Sequence, residues 1–443
     1  MAGASDASGD DQLEVVRGVW RAVLNVDDVD TSTHFFRAGG TSIKGAMLLS
    51  RIRKATGVRI PVQDFLRDPT PGAIAALLTG APQPTTAGPV SAAGGDLSAD
   101  VAGMLSDAVA SGRILGAQVH AIRGSQVVLD LAAGAANDQT AMTTGSTFRW
   151  FCAGKPLTAL ACATLVDAGA LEWTQRLADH FPELRAAPVG EVTVAQLLNS
   201  TSGIVETEPL AATAEGLAAL SMSGPAGTVA YYSYYSGWQV LRTLVERVTR
   251  GDFMTYFQKA VSQPLGLDAT TCDPVGTAAA DGHRVSQGSL EPNGWMPVSD
   301  ALITPKSVGQ FDVGRGFCGP ARDLAAVFAE IRDGLAGAGK VLTRRIAQTL
   351  VSMSRGRVRD ANTEQFLDIG LGLQLNMADV LATEKCSPAS FGHIGTVRKP
   401  IAVGLYEPTR DVVVAILLRG DSPNNQILLT ELIDRILVGA VST

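Results

Sequence analysis

The sequence predicts a two-domain protein: a small all-α four-helix bundle, then an α/β (α+β) domain whose antiparallel sheet is covered by helices. Three observations carry this reading. Residues 11–78 hold three helical stripes, Leu13-Val16-Trp20-Val23, Ile43-Met47-Leu48-Ile52 and Ile74-Leu77-Leu78. From Thr79 to Ala99 the chain turns to Ala, Pro, Thr, Gly and Ser with no periodic apolar positions, the texture of a flexible linker spanning about 25 Å. Beyond it, apolar runs at both ends of a long segment enclose a helical middle, which suits a sheet with helical cover. The expected boundaries are residues 1–80 for the bundle, 81–98 for the linker and 99–443 for the second domain.

Within the second domain, Val101 to Ser111 is helical in pattern. Ala117 to Ile122 and Val127 to Leu131 form a hairpin across Arg123-Gly124-Ser125-Gln126. Leu157 to Val166 and Trp238 to Val248 are helical runs. Ile401 to Leu405 and Val412 to Leu417 make a second hairpin across Glu407-Pro408-Thr409-Arg410, and Gln426 to Val438 closes as an amphipathic helix. No internal repeat is visible.

Composition bounds the function. A chain of 443 residues exceeds one ordinary core, and 46% hydrophobic with 18% charged residues is globular. The net charge of −7 argues against nucleic acid and anionic membrane as partners. Met1 to Gln12 is small, polar and acidic rather than signal-like, and no apolar run reaches the roughly 18 residues that span a bilayer. A cytoplasmic protein is the expectation. Cysteines 152, 162, 272, 318 and 386 are odd in number and scattered, so neither a disulfide framework nor a zinc site is indicated.

Ser42 follows Gly39-Gly40-Thr41 and precedes an apolar-periodic segment, which places its hydroxyl at a helix N-terminus. Free amides and the helix dipole favour a phosphate there. Alone, Ser42 reads as an ordinary N-cap serine. With Phe35-Phe36, the Gly-Gly-x-Ser core and the helical tail through Pro71, residues 11–78 resemble the peptidyl carrier domains of nonribosomal peptide synthetases. The resemblance implies 4′-phosphopantetheine attached covalently to Ser42. Its implied partners are a phosphopantetheinyl transferase, an acyl-loading enzyme and other carrier proteins.

Cys152 and Lys155 lie three residues apart, one face of a helix, where an ammonium and a helix N-terminus both favour thiolate. Alone, such a pair is more often a buried cysteine near a lysine. Its companions change that. Cys152-Ala153-Gly154-Lys155 stands where an S-x-x-K would be, and Gln196 to Gly203 is similar to an L-L-x-H-T-S-G turn. Pro264-Leu265-Gly266-Leu267, Gly314-Arg315-Gly316-Phe317 with Ala321-Arg322-Asp323-Leu324, and Phe391-Gly392-His393-Ile394-Gly395 follow in order. The set resembles the penicillin-binding-protein and serine β-lactamase families, of the class C esterase type, with cysteine in the place of the nucleophilic serine.

That resemblance implies Cys152 as nucleophile with Lys155 tuning proton transfer. Tyr231, Tyr232, Tyr234 and Tyr235 compete for the proton-relaying tyrosine. Counting back from Glu246 selects Tyr234 in Tyr234-Tyr235-Ser236, with Tyr232 as runner-up; the others read as aromatic packing. His393 would line the site on an edge strand. The amides of Cys152 and of the strand after Gly395 are the implied oxyanion hole, and Gly395, Thr396 and Arg398 the substrate-binding residues. Here Thr396-Val397-Arg398-Lys399-Pro400 departs from the family's glycine-rich continuation. Arg398 and Lys399, like Arg355, Arg357 and Arg359, are candidates for a phosphate or carboxylate, or simply a solvated basic surface.

A thiol nucleophile keeps an acyl group at thioester energy, so exchange with another thiol is nearly isoenergetic. The expected function is acyl, aminoacyl or peptidyl transfer in nonribosomal peptide or polyketide-type biosynthesis, through Cys152 and the arm on Ser42 or a partner carrier. A thioesterase or cyclase releasing the product, and an inactive carrier-binding scaffold, are the alternatives.

Overall fold

The computed structural model describes residues 6–80, 97–272 and 311–440, apart from positions 25, 27, 36, 37, 39–41, 57, 59, 61–64, 66–68, 138, 139, 209, 397, 398 and 421, together with strands 288–291 and 294–297. The chain divides into two compact units, Met1–Gly94 and Gly95–Thr443. The expected linker lies outside the described residues from 81 to 96, as does Arg398. No helix among the described residues is long and apolar enough to cross a membrane.

The first unit shows three helices of the expected bundle among its described residues: α1 (Asp6–Leu24), α2 (Ser42–Thr56) and α3 (Pro71–Gly80). Their stripes close on a core of Val16, Trp20, Leu48, Ile52, Ile74 and Leu78. Trp20, Phe35 and Phe65 meet edge to face, with centroids 5.3 to 6.0 Å apart, the geometry that ring quadrupoles prefer. Met47, counted with the apolar stripe, is 44% exposed instead. Its neighbour Leu48 takes the inward position, so Met47 falls about 100° round the helix and faces solvent.

The second unit is built on a six-stranded antiparallel sheet: β1 (Gly116–Arg123), β2 (Gln126–Gly134), β3 (Gln374–Leu375), β4 (Phe391–Thr396), β5 (Pro400–Glu407) and β6 (Val412–Arg419). The spatial order is β3-β4-β5-β6-β1-β2. Both expected hairpins are present, β1–β2 and β5–β6, and β6 pairs with β1 to join the two ends of the unit. Strand β6, Val-Val-Val-Ala-Ile-Leu-Leu-Arg, is buried throughout. Its side chains alternate between two cores. Val413, Ala415 and Leu417 join the larger one, and Val412, Val414, Ile416 and Leu418 the smaller. A central strand covered on both faces reads as a continuous apolar run for that reason.

Helices α4 (Leu97–Ala110) and α8 (Asn425–Gly439) cover the face that carries the smaller core, through Leu97, Val101, Leu105, Leu429, Ile433 and Ile436. Helices α5 (Lys155–Asp167), α6 (Ser236–Thr249) and α7 (Ala321–Ala336) belong to the larger core. Helix α7 lies against β1, β5 and β6, and its Phe328 ring rests on the backbone of Gly404 in β5. A Cβ at Gly404 would collide with that ring. Gly404→Val is therefore expected to cost about 1–3 kcal/mol through overpacking. The thermal unfolding midpoint, followed by circular dichroism, should drop; an unchanged midpoint would contradict this packing.

Candidate active site

Cys152, the candidate nucleophile, sits on a tight turn between strand Phe148–Arg149 and helix α5. Phe151–Gly154 forms a single 3₁₀ turn, and Lys155, not Cys152, opens the α-helix. Pro156 in the first turn of α5 suits a position where no intrahelical N–H bond is made. Phe151 adopts φ +50°, a left-handed conformation that costs a non-glycine residue about 1–3 kcal/mol and turns the next side chain sharply. Trp150 anchors the turn: its backbone N–H donates to Phe317 O at 2.8 Å, while its ring Nε1 donates to Gly319 O at 2.8 Å.

Lys155 is fully buried, and its ammonium uses three donors: Cys152 Sγ at 3.1 Å, Tyr234 O at 3.2 Å and Gly314 O at 3.2 Å. It also lies 5.3 Å from the Tyr232 ring centroid and 5.2 Å from that of Trp238. The two carbonyls are set from elsewhere. Gly314 belongs to a turn whose amides at Gly314 and Arg315 both donate to Asp312 Oδ1 at 3.0 Å. Arg315 donates through Nε to Asp312 Oδ2 at 2.6 Å and through Nη2 to Glu208 at 3.2 Å. Burial opposes the Arg315 charge, but the Asp312 and Glu208 carboxylates outweigh it and hold the guanidinium charged well above its usual range.

Within the tyrosine segment it is Tyr232, not Tyr234, that packs against Cys152, and its hydroxyl hydrogen-bonds to His393 Nε2 at 3.3 Å. Burial first, then the neighbouring Cys152, hold the Tyr232 proton well above the ordinary phenol range. Tyr232 thus stays protonated beside Cys152, with its one O–H directed at His393 Nε2. Tyr234 contributes its carbonyl to Lys155, while its half-exposed ring meets Tyr232 edge to face at 5.5 Å. Tyr235 lies buried beneath the Arg315 guanidinium, 5.3 Å from ring centroid to Cζ, and Tyr231 is half-buried.

Sequence reasoning did not find Glu206. Its carboxylate accepts from Ser233 Oγ at 2.7 Å, Tyr234 N at 2.6 Å, Tyr235 N at 3.2 Å, Ser236 N at 3.0 Å and Ser236 Oγ at 3.1 Å. It caps helix α6 from a distant part of the chain and satisfies amides that helix would otherwise leave free. A lone glutamate in a loop carries no motif by which to recognise this.

His393 faces the same centre from β4. That strand is not outermost as expected: β3 lies outside it, paired only with Phe391 and Gly392. His393 Nδ1–H donates to Ile394 O at 3.1 Å, which leaves Nε2 as the acceptor for Tyr232. Burial, and then the Lys155 charge, push His393 down to about 3. Gly395 brings β4 into contact with the nucleophile turn: a Cβ there would collide with Trp150 O and stand 3.2 Å from Ala153 N. Thr396 follows, exposed, at a register shift opposite Pro400.

The other cysteines are engaged elsewhere. All five are free and buried; burial pushes Cys162 and Cys386 up to about 12. Cys272 and Cys318 donate to Asp312 O and Gly316 O. The arginines singled out as anion candidates are also paired. Arg355 is buried against Asp360 at 2.9 Å, so it is no surface group, and Arg357 and Arg359 face Asp379 and Glu364.

Residues 101–436 match the sequence profile of the beta-lactamase family, most of the chain, and the protein belongs to that family. Residues 14–78 match the phosphopantetheine attachment site, so its first unit is a phosphopantetheine carrier domain. Penicillin-binding protein 4 of Amycolatopsis lactamdurans is 28% identical over 310 residues, covering 66% of this chain and 77% of that protein. Surfactin synthase subunit 1 of Bacillus subtilis (strain 168) is 39% identical over 62 residues, 14% of this chain. The nonribosomal peptide synthetase CymA of Salinispora arenicola is 38% identical over 80 residues, 18% of this chain. This chain spans only 2% and 1% of those two synthetases. Among solved structures, EstCE1, described as a hydrolase with promiscuous acyltransferase activity, aligns with TM-score 0.63 at 18% identity, over 79% of this chain and 99% of its own. SurE aligns with TM-score 0.61 at 23% identity, over 79% of this chain and 77% of its own. These likenesses establish the fold.

The state of His393 has a measurable consequence. Between pH 6.5 and about 3 the unfolded chain takes up a proton at this imidazole that the folded chain refuses. Stability contributed by the neutral ring is complete above that window and declines as pH falls, by up to about 1.4 kcal/mol per unit. His393→Gln removes this branch. Denaturant-derived unfolding free energies should fall less steeply on acidification in the variant, by about one proton, and parallel slopes would sink the assignment.

Proposed function

We propose that the protein is an acyl-, aminoacyl- or peptidyltransferase of nonribosomal peptide or polyketide-type biosynthesis, working through a thioester on Cys152. The observation that carries this is the Lys155 ammonium at 3.1 Å from Cys152 Sγ, with the protonated Tyr232 packed against the same residue. The ammonium favours the thiolate, and the Tyr232 O–H can turn from His393 to the sulfur once the thiolate forms. A serine alkoxide needs a base to remove its proton; a thiolate beside an ammonium does not.

Ser42 suits a phosphodiester: it is the first residue of a 15-residue helix whose first turn carries no acidic side chain and whose leading amides have no intrahelical acceptor. When attached there, 4′-phosphopantetheine supplies a terminal thiol on which an acyl group is carried as a thioester. A thioester substrate, from this carrier or from a partner's, then meets Cys152.

The Cys152 thiolate attacks the thioester carbonyl. The C–S bond to the leaving thiol breaks, and the acyl group remains on Cys152. Tyr232 donates its proton to the departing sulfur. An acceptor thiol, amine or alcohol next attacks acyl-Cys152, gives its proton to the Tyr232 oxygen and releases the thiolate back to Lys155. The amides of Cys152 and Thr396 are suited to the carbonyl oxygen, because Gly395 brings the two backbones together. His393, neutral and accepting from Tyr232, orients that hydroxyl. A carrier-linked substrate favours a cytoplasmic setting. The complete set of donors around Cys152 argues against an inactive scaffold.

Incubating the pantetheinylated full-length protein with an acyl donor should give an acyl mass increment on the Cys152 peptide, absent in Cys152→Ala, by intact-mass and peptide mass spectrometry. Ser42→Ala should abolish the phosphopantetheine increment while leaving Cys152 open to acylation by a separate thioester. Failure to detect any acyl-Cys152 under single-turnover conditions would remove the covalent route. Free acid formed faster than any transfer product would assign release instead of transfer.

A further inference from the structure

The main chain of Tyr232 is gripped by a loop that neither the motifs nor the chemistry above accounts for. Asp360, fully buried, accepts from Tyr232 N at 2.7 Å and from Arg355 Nη1 at 2.9 Å through Oδ2. Its Oδ1 accepts from the amides of Asn362 at 3.0 Å and Thr363 at 2.9 Å, which folds the loop onto itself. From that loop Asn362 Nδ2 donates to Tyr232 O at 2.8 Å, and Ala361 N to Ala230 O at 2.8 Å. Arg355 Nη1 also donates to Ser200 O at 3.0 Å, the carbonyl that accepts Tyr231 N at 2.9 Å. The Tyr232 amide therefore ends on the carboxylate of a guanidinium–carboxylate pair, and the Tyr231 amide on a carbonyl that the same guanidinium holds.

This pair is an uneconomical way to hold a fold together. Arg355 Nε and Nη2 are buried with no acceptor among the described residues, and burial pulls the guanidinium below its usual range despite Asp360. Buried ion pairs with unmet donors are commonly no better for stability than apolar side chains of the same size. What the pair does supply is direction: the backbone on either side of one tyrosine is fixed by hydrogen bonds of defined geometry.

We propose that Asp360, oriented by Arg355, is a positioning residue that sets the Tyr232 hydroxyl against Cys152 and thereby governs the reactivity of that thiol. The inference rests on Cys152 as the nucleophile but not on the transfer reaction. The groups acting on Cys152 are Lys155 from its own turn, Tyr232 and Tyr234 from the tyrosine segment, and Arg315 from the Gly314 turn, with His393 neutral on β4.

The sign of the effect separates positioning from simple charge. Removing the Asp360 charge leaves Arg355 uncompensated, and this field alone would favour a nearby thiolate and speed its alkylation. Displacing the Tyr232 hydroxyl, which packs against Cys152, withdraws a donor that the thiolate can recruit and slows alkylation. In full-length Asp360→Asn, carbamidomethylation of Cys152 by iodoacetamide at neutral pH, resolved by peptide mass spectrometry, is expected to slow about tenfold. Tyr232→Phe should match it, and the double variant should be no slower than either single one, as for residues acting through one contact. Asn362→Ala removes one grip on Tyr232 and leaves the ion pair in place. It should slow alkylation in the same direction by a smaller factor, and it decides the matter if Asp360→Asn does not fold.

Unchanged or faster alkylation in Asn362→Ala, or in folded Asp360→Asn, overturns the proposal, as do additive losses in the double variant. Slowed alkylation in all three variants, with no acyl group ever found on wild-type Cys152, keeps the positioning role and removes only the acyl relay. Acyl-Cys152 formed at the wild-type rate in Asp360→Asn and Asn362→Ala removes the positioning role and keeps the relay.

Discussion

A buried ammonium holds the site together. Lys155 has no exposure, and an unsatisfied charge at such depth would cost several kcal/mol. It is satisfied by three acceptors from three separate stretches: the nucleophile turn, the tyrosine segment and the Gly314 turn. The constraint runs in both directions. The carbonyls of Tyr234 and Gly314 must point inward to accept from the lysine, and Glu206 and Asp312 hold those two segments so that they do. With all its donors committed, Lys155 is fixed in place beside the sulfur.

That arrangement suits a cysteine at position 152. Among the described residues Lys155 donates to Cys152, the protonated Tyr232 packs against it and Arg315 lies farther out. His393 Nε2, a neutral nitrogen base, is already an acceptor for Tyr232 and is kept uncharged by burial. An environment of donors stabilises an anion that has already formed. A thiol meets that requirement near neutral pH far more readily than a hydroxyl.

What could be read from residues alone follows the range of the interactions involved. The turn before α5, the hairpins at both ends of the sheet and the apolar β6 depend on neighbours close in sequence, and their patterns survive in the linear order. The Cys152–Lys155 pair belongs to the same class. The choice among four tyrosines does not. Spacing from α6 pointed to Tyr234, but which hydroxyl reaches the sulfur depends on Asp360 and Asn362, more than a hundred residues downstream, and on Glu206 across the cleft. Single acidic residues in loops have no periodicity and no motif, so their role appears only when the chain is folded. Met47 failed for a simpler reason: it lies about 100° round the helix from Leu48, beyond the edge of the stripe that this small bundle buries.

The contact between Gly395 and Trp150 O places the sheet and the nucleophile turn backbone to backbone, with no side chain between them. Such a junction has no rotamers to change and no methylene to gain or lose. The spacing between β4 and Cys152 is therefore a datum set by peptide geometry, in the way a machinist references parts to a common edge. Repacking of either core can alter how firmly the domain is held together without altering where the thiol stands relative to the strand beside it.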